Sequence, residues 1–436
     1  MRMNILAATV MTCSVAVICP PAIAADDGFA DNTLTGDWGG VRQRLHDDGV
    51  DLGADYVGEF AHNSSGGFRR TDAYADQIHL RAAFDFGKLW GWTGASLHID
   101  VTNRNGNQLD QKAGLGTLLE TQEIHGAGNV TRLTRFYYEQ ALWNDLVDIK
   151  FGRMDIGDDF FSFSCNFQNL NFCGSLPGYI TKGWYDWPVS QTGGVLRLRP
   201  NAAWSLKLGA FDVNSNNAAT SQGLKLSPAG RSQGTLMLAE LEWDTALAGN
   251  ATDGRPLAGS WRLGGWHNSA NYPDLFSDVG GMPPGAGMAT PRMRGHVSGT
   301  YAMGQQQITH NAAGGGLSLF GNLVLADSAT DLIDQMVSAG LFYDAPFASR
   351  PHDRIGFVIG RDHVSRHAAD NLRAQNAQGL QSLPIPGYEY ITELNYNVQL
   401  WRGLSLMPNL QYIHHPGGSS GNANAGVLGL RVAATF

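Results

Sequence analysis

From Asp51 to Phe436 the side chains alternate between apolar and polar with a period of two, in short segments separated by turn-forming residues. That period belongs to a strand with one face in an apolar medium and the other in water. In Ile78 to Phe86, the residues Ile78, Leu80, Ala82, Phe84 and Phe86 share one face while His79, Arg81 and Asp85 share the other. In Thr93 to Asp100, Ala95, Leu97 and Ile99 alternate with Ser96, His98 and Asp100. From Tyr390 to Leu400 the set Tyr390, Thr392, Leu394, Tyr396, Val398 and Leu400 opposes Glu393, Asn395, Asn397 and Gln399. Weaker alternation recurs over Leu52 to Phe60, Leu133 to Leu142, Val147 to Arg153, Gly193 to Arg199, Trp204 to Asp212, Leu236 to Trp243, Ser260 to His267 and Val297 to Met303. It continues over Leu317 to Leu325, Val337 to Tyr343, Ile355 to Arg361, Leu404 to Tyr412 and Gly426 to Phe436.

The tally is about sixteen segments, and their lengths suit tilted membrane-crossing strands of roughly 9–11 residues. Strands that meet lipid must pair on both edges, because an open edge leaves backbone groups without partners in hydrocarbon. The expected fold is therefore all-β, a closed antiparallel transmembrane β-barrel, and a barrel of about sixteen strands encloses an aqueous channel. Long polar or Gly/Pro-rich stretches, Asn103 to Thr131, Asp155 to Gln191, Asn214 to Ser232, Asn268 to Arg294 and Ser365 to Pro386, alternate with tight connections such as Trp401-Arg402-Gly403. Ahead of the strands, Trp38, Val41 and Leu45 fall at helical spacing, which predicts a short helix within Thr35 to Asp48.

The first residues read as an export leader: Arg2, an apolar run from Ile5 to Ile18, Pro20 and Pro21, then Ala22-Ile23-Ala24. The run is shorter than the roughly 20 residues of a membrane-spanning helix. The expected organisation is a leader over 1–24, a periplasmic segment with the short helix over 25–50, and a multi-pass outer-membrane barrel over 51–436. Glycine supplies 55 of the 436 residues against a usual share of roughly 7%, which suits turns and close-packed strands. The net charge of −9 offers no basic footprint for nucleic acid. Cys13 and Cys19 lie in the leader, so Cys165 and Cys173 remain as a close pair expected to form a disulfide in an oxidising compartment. No further Cys or His stands near enough to suggest zinc, and no cofactor is expected.

Five spaced pieces resemble the carbohydrate-selective porin family of OprB type. They are Leu34-Thr35-Gly36-Asp37-Trp38-Gly39-Gly40-Val41-Arg42; Phe151-Gly152-Arg153-Met154-Asp155-Ile156-Gly157-Asp158-Asp159-Phe160; the Cys165 to Cys173 segment with Phe167-Gln168-Asn169; Pro408-Asn409-Leu410-Gln411-Tyr412 followed by Pro416-Gly417-Gly418; and Leu428-Gly429-Leu430-Arg431. The resemblance implies a sixteen-stranded barrel in the outer membrane of a Gram-negative bacterium, with inward-folding loops that narrow a passive pore for glucose and related monosaccharides. It also implies contact with outer-membrane lipid. Terminal Phe436 resembles the signal read by the barrel assembly machinery, and a homotrimer follows by analogy with porins.

A neutral sugar sheds water on entering a narrow pore, so the wall must supply hydrogen-bond donors and acceptors, and flat apolar faces for the C–H side of the ring. Arginine suits the donor role, and 24 of the 30 basic residues are Arg. The candidate pore-lining set is His79, Arg81, Asp85, His98, Asp100, Arg104, Arg135, Glu139, Lys150 and Arg153, with Trp184 beside the Cys pair as a stacking surface. Each is set against the plainer reading of a wall residue solvated by lumen water. Two enzyme-like patterns, Gly230-Arg231-Ser232-Gln233-Gly234 and Gly417-Gly418-Ser419-Ser420-Gly421, lack the strand-to-helix setting of a nucleophile elbow. His363 with His367, and His414-His415, lack the acidic partner of a metalloprotease motif. The chain is therefore read as a channel, not an enzyme; a lipase-like barrel and a closed-lumen adhesion or receptor scaffold are the alternatives.

Overall fold

A computed structural model describes residues 32–126, 128–247, 255–281 and 290–436, and the expected leader lies outside them. The strands are β1 (Val50–Ser65), β2 (Asp72–Asp85), β3 (Ala95–Gly106), β4 (Val130–Leu142), β5 (Val147–Met154), β6 (Gln191–Asn201), β7 (Trp204–Val213), β8 (Gly234–Leu247) and β9 (Leu257–Asn268). They continue with β10 (Tyr272–Asp278), β11 (Pro291–Arg294), β12 (Val297–Gln307), β13 (Gly316–Leu325), β14 (Ile333–Asp344), β15 (Arg354–Val364), β16 (Tyr388–Trp401), β17 (Leu404–His414) and β18 (Ala425–Thr435). Sixteen of them close into one antiparallel barrel in sequence order, β12 following β9 because β10 and β11 pair only with each other. Each alternating segment of the sequence overlaps one barrel strand. The ring closes between β1 and β18, in a register that sets Asp55 beside Thr435 and His62 beside Leu428.

Because neighbouring strands pair in register, one parity of every strand faces outward. Leu80, Phe151, Leu263, Leu394, Leu410 and Leu428 are all exposed on that face, as large aliphatic and aromatic side chains must be if lipid is their solvent. Trp90, Trp92, Trp143, Trp204, Trp243, Trp261 and Trp401 gather toward the short-turn rim, where amphipathic rings suit the membrane interface. Among the described residues no helix is long and apolar enough to cross a membrane.

The expected N-terminal helix spans Val41–Asp47, preceded by a 3₁₀ turn at Trp38–Gly40. Its Arg42 donates to Thr33 Oγ1 (3.1 Å), Leu52 O (3.0 Å) and Phe436 O (3.0 Å), so the helix is tied to the beginning of β1 and to the last residue of the chain together. Two elements depart from the alternation reading. Phe86 opens a helical turn, Phe86–Trp90, capped by the Asp85 carboxylate accepting from Gly87 N (2.8 Å). Residues 366–377, inside the expected loop Ser365 to Pro386, form a helix whose cap is Ser365 Oγ accepting from Ala368 N (3.1 Å). That helix is polar on most sides, so no apolar stripe announces it.

The connection 155–190 folds into the barrel. Its Phe161 packs against Tyr301 (ring centroids 5.2 Å), Phe163 against Phe320 (5.2 Å), and Phe167 against Phe172 (5.7 Å) and Phe342 (5.5 Å). Burying several aromatic rings in one cluster is a large apolar gain, and it draws the loop onto the β12–β14 side. Its backbone donors would be stranded there without acceptors. Glu393 of β16 accepts from Gln168 N (2.9 Å) and Asn169 N (2.8 Å), and Glu240 of β8 accepts from Phe161 N (2.8 Å). Arg431 of β18 donates to Cys165 O (2.9 Å), and Cys165 and Cys173 are joined by a disulfide. The loop is fastened to strands far apart around the ring.

Candidate functional site

With the aromatic loop against one side, a cavity of about 1660 Å³ remains, walled mainly by β2 to β8. Register decides which charges meet there. Across β2, β3 and β4 the pairing lines up Arg81, Asp100 and Arg135. Across β5 to β8 it lines up Asp148, Arg197, Lys207 and Glu240. In the first row a carboxylate separates two cations; in the second, Arg197 and Lys207 stand opposite each other, and each is held by the acid on its far side, Asp148 and Glu240, which offsets the repulsion between them. Gly53 faces Arg81 across the β1–β2 pair, and a Cβ there would collide with the guanidinium.

The contacts follow. His79 bridges Asp55 (3.3 Å) and Asp100 (3.1 Å), and Arg81 reaches the same Asp55. Arg135 meets Asp100 (2.9 Å), Asp155 (3.2 Å) and Asp158. Lys150 pairs with Asp159 (3.0 Å), and Arg197 with Asp148 (3.4 Å). Lys207 pairs with Glu240 and Glu242 (3.0 Å each), and Arg262 with Glu242 (2.7 Å). The wall is dense in charge yet nearly compensated. Burial pushes the carboxyl groups of the loop up: Asp155 to about 6 against the pull of Arg135, Asp158 to about 7, and Asp186 to about 6. Asp159 goes the other way: burial would raise it, but Lys150 and Lys207 together hold it below its ordinary value.

Arg104 stands apart. Its side chain lines the cavity at only 6% exposure, and its Nε donates to Gln77 Oε1 (2.8 Å). The same oxygen accepts from Trp187 Nε1 (2.9 Å), which places the indole beside the guanidinium. Arg135 lies over the Trp187 ring (4.9 Å) and His79 meets its edge (4.7 Å). The result is an arginine with unspent terminal donors next to a fixed aromatic surface.

Of the candidates from the sequence, His79, Arg81, Asp85, His98, Asp100, Arg104, Arg135, Glu139 and Lys150 all border the cavity. His98 stacks on Tyr137 (4.7 Å) and approaches Glu139 (3.5 Å), while Asp85 sits at the short-turn rim as a helix cap. Arg153 is placed otherwise. It lies three positions from Lys150 on one strand and so takes the opposite parity, that of Ile149 and Phe151, where it donates to Ser190 Oγ (2.7 Å) and to Lys225 O. Trp184 also borders the cavity, but it is 1% exposed and packed edge-on to Trp266 (5.5 Å) and Tyr301 (6.2 Å), so it presents almost no open ring face there. The aromatic beside the charged wall is Trp187. Arg197 and Lys207 were within reach of the alternation, since Leu196 and Leu198, and Leu206 and Leu208, flank them. Asp155, Asp158 and Asp159 carried no periodic signal, because their positions depend on how the loop folds. Ser232 and Ser419 sit in exposed loops, with Ser232 Oγ donating to Gly234 O (3.0 Å) and Ser419 Oγ accepting from Gly421 N (3.3 Å).

A closed barrel with an apolar outside, an inward-folded loop and a polar hollow lined by paired charges defines a porin of the outer membrane of Gram-negative bacteria. Residues 69–436 match the family model described as carbohydrate-selective porin, OprB family. Porin B of Pseudomonas aeruginosa is 37% identical over 95% of this chain and 94% of its own length, and a putative porin, QuiX, of Acinetobacter baylyi is 33% identical over 97% and 98%. The high-pH structure of Pseudomonas putida OprB superposes with a TM-score of 0.89 at 36% identity, covering 94% of this chain and 99% of that one. The low-pH structure of the same protein gives 0.58 at 27% identity, covering 93% and 98%. The chain belongs to the OprB family of carbohydrate-selective porins.

Proposed function

We propose that this chain conducts small neutral monosaccharides such as glucose down their gradient, and that Arg104, Gln77 and Trp187 form a contact that a sugar makes in the lumen. The observation that carries this reading is the Arg104 guanidinium, almost wholly buried in the wall yet hydrogen-bonded among the described residues only through Nε to Gln77. A hydroxyl can accept from its terminal nitrogens while the pyranose C–H face lies along an aromatic ring, replacing lost water without a deep well. Arg81, His79, Asp100, Arg135, Glu139 and Lys150 act as a compensated wall: the field of closely paired opposite charges is strong beside them and falls off steeply toward the axis, so it acts on an ion near the wall and little on a neutral solute.

Proteoliposome swelling tests this directly. The folded barrel is expected to admit glucose faster than a disaccharide of twice its size, and Arg104→Ala is expected to lower the glucose rate about three- to tenfold, the net worth of roughly one ordinary hydrogen bond. Equal rates for glucose in the variant and the parent would remove Arg104 from the sugar path. That both relatives are porins by name supports a channel over the lipase-like and scaffold alternatives.

A further inference from the structure

On the outward face, where β14 to β17 approach the long-loop rim, the lipid-facing parity changes character. The register sets Leu341, Phe357, Leu394, Leu410 and Leu428 in one row across β14 to β18, and two residues nearer the long loops the next row includes Ile359, Thr392 and Tyr412. The row above it is Val337, Arg361, Tyr390 and His414, and the last is Gln335, His363 and Tyr388. Arg361 lies over the Tyr388 ring (4.9 Å) and donates to Gln335 Oε1 (3.1 Å), a geometry that holds the guanidinium over the ring with donors left over. His363 meets Tyr388 at a tilt (4.6 Å), as do Tyr388 and Tyr390 (6.1 Å) and Tyr390 and His414 (6.0 Å), while His414 stacks on His415 (3.8 Å). The carboxylate beside this ladder is Asp334, which His363 Nδ1 engages at 2.6 Å. Tyr388 and Tyr390 are 36% and 42% exposed, and among the described residues their hydroxyls have no hydrogen-bond partner.

We propose that this ladder is a docking site for an outer-leaflet glycolipid whose headgroup is a phosphorylated sugar. The apolar rows below it receive acyl chains, the tilted tyrosine and histidine rings give a run of ring faces for the sugar, and Arg361 with the phenol hydroxyls reaches the phosphate. The height on the barrel selects the occupant: the groups lie above the aliphatic rows, where a headgroup sits when its chains lie along Leu394 and Leu410. An arginine fixed on an aromatic face is a planar, always-charged partner for phosphate. The site is on the outside of the barrel, so it is independent of what passes through the lumen.

The test uses the full barrel in detergent, titrated with mixed micelles of phosphatidylcholine carrying lipid A, a phosphorylated glucosamine disaccharide with acyl chains, and retained lipid counted by native mass spectrometry. Arg361→Gln and Tyr390→Phe are each expected to weaken lipid A retention, the first about tenfold, with glucose conductance unchanged. Arg153→Gln, elsewhere on the outward parity, is expected to retain lipid A as the parent does. Equal retention by Arg361→Gln in a correctly folded barrel overturns the proposal, and so does equal binding of a dephosphorylated lipid A. Displacement by soluble glucosamine phosphate at matched concentration would also overturn it, because the headgroup alone would then suffice.

Discussion

At the scale of single residues, parity is the deciding variable, and Lys150 and Arg153 show its reach. Both are cations of one strand, yet one pairs with Asp159 at the cavity and the other ties Ser190 and the carbonyl of Lys225 on the opposite face. Arg153→Ala is accordingly expected to leave sugar selectivity unaltered, while Arg81→Ala, on the lumen side, is expected to shift ion preference; bi-ionic reversal potentials for both variants settle the contrast. The two loop tryptophans divide in the same way. Trp184→Ala removes a ring from the core and is expected to cost about 3–5 kcal/mol, read as a lower unfolding midpoint in denaturant, whereas Trp187→Ala is expected to spare that midpoint and reduce glucose flux. What the sequence offered here was limited by geometry: Trp184 and Trp187 stand three apart in a segment with no regular period, so nothing in the order of residues says which one faces water.

At the scale of elements, the strands were legible and the connections were not, for a physical reason. A strand such as Tyr390 to Leu400 is written by two solvents at once, so every second residue carries information about its surroundings. The segment 155–190 meets only protein and lumen water; its fold is fixed by distant partners, Glu393, Glu240 and Arg431, which no local pattern announces. The cysteine pair was readable because its chemistry is local. The helix Arg366–Ala377 was hidden by its polar faces. Glu393→Ala strips the acceptor from two buried backbone donors, at a cost of roughly 1–3 kcal/mol each. Planar bilayer recordings on that variant are expected to show larger and noisier unitary currents as the loop lifts; a trace identical to the parent would mean the aromatic cluster alone holds it.

At the scale of the whole molecule, the lumen is a near-neutral lattice of charges whose balance depends on acidity. Burial places Asp155, Asp158 and Asp186 at about 6, about 7 and about 6. A carboxyl whose value is raised in the folded state is neutral below that value, so these groups gain charge as pH rises from about 5 to about 8. The pore is therefore expected to favour cations more strongly at pH 8 than at pH 5, in potassium chloride gradients, and Asp158→Asn is expected to flatten that dependence. The sign for stability is the same group read the other way: the loop packs best while the three are uncharged and loses that advantage as pH climbs through their folded values. The latch at the short-turn rim has a different consequence. Since Arg42 grips the start of the first strand and the carbonyl of the final residue at once, its helix has nowhere to seat until the ring is complete. Protection of residues 41–47 from protease would then serve as a clock hand for insertion, turning only when the last strand has arrived.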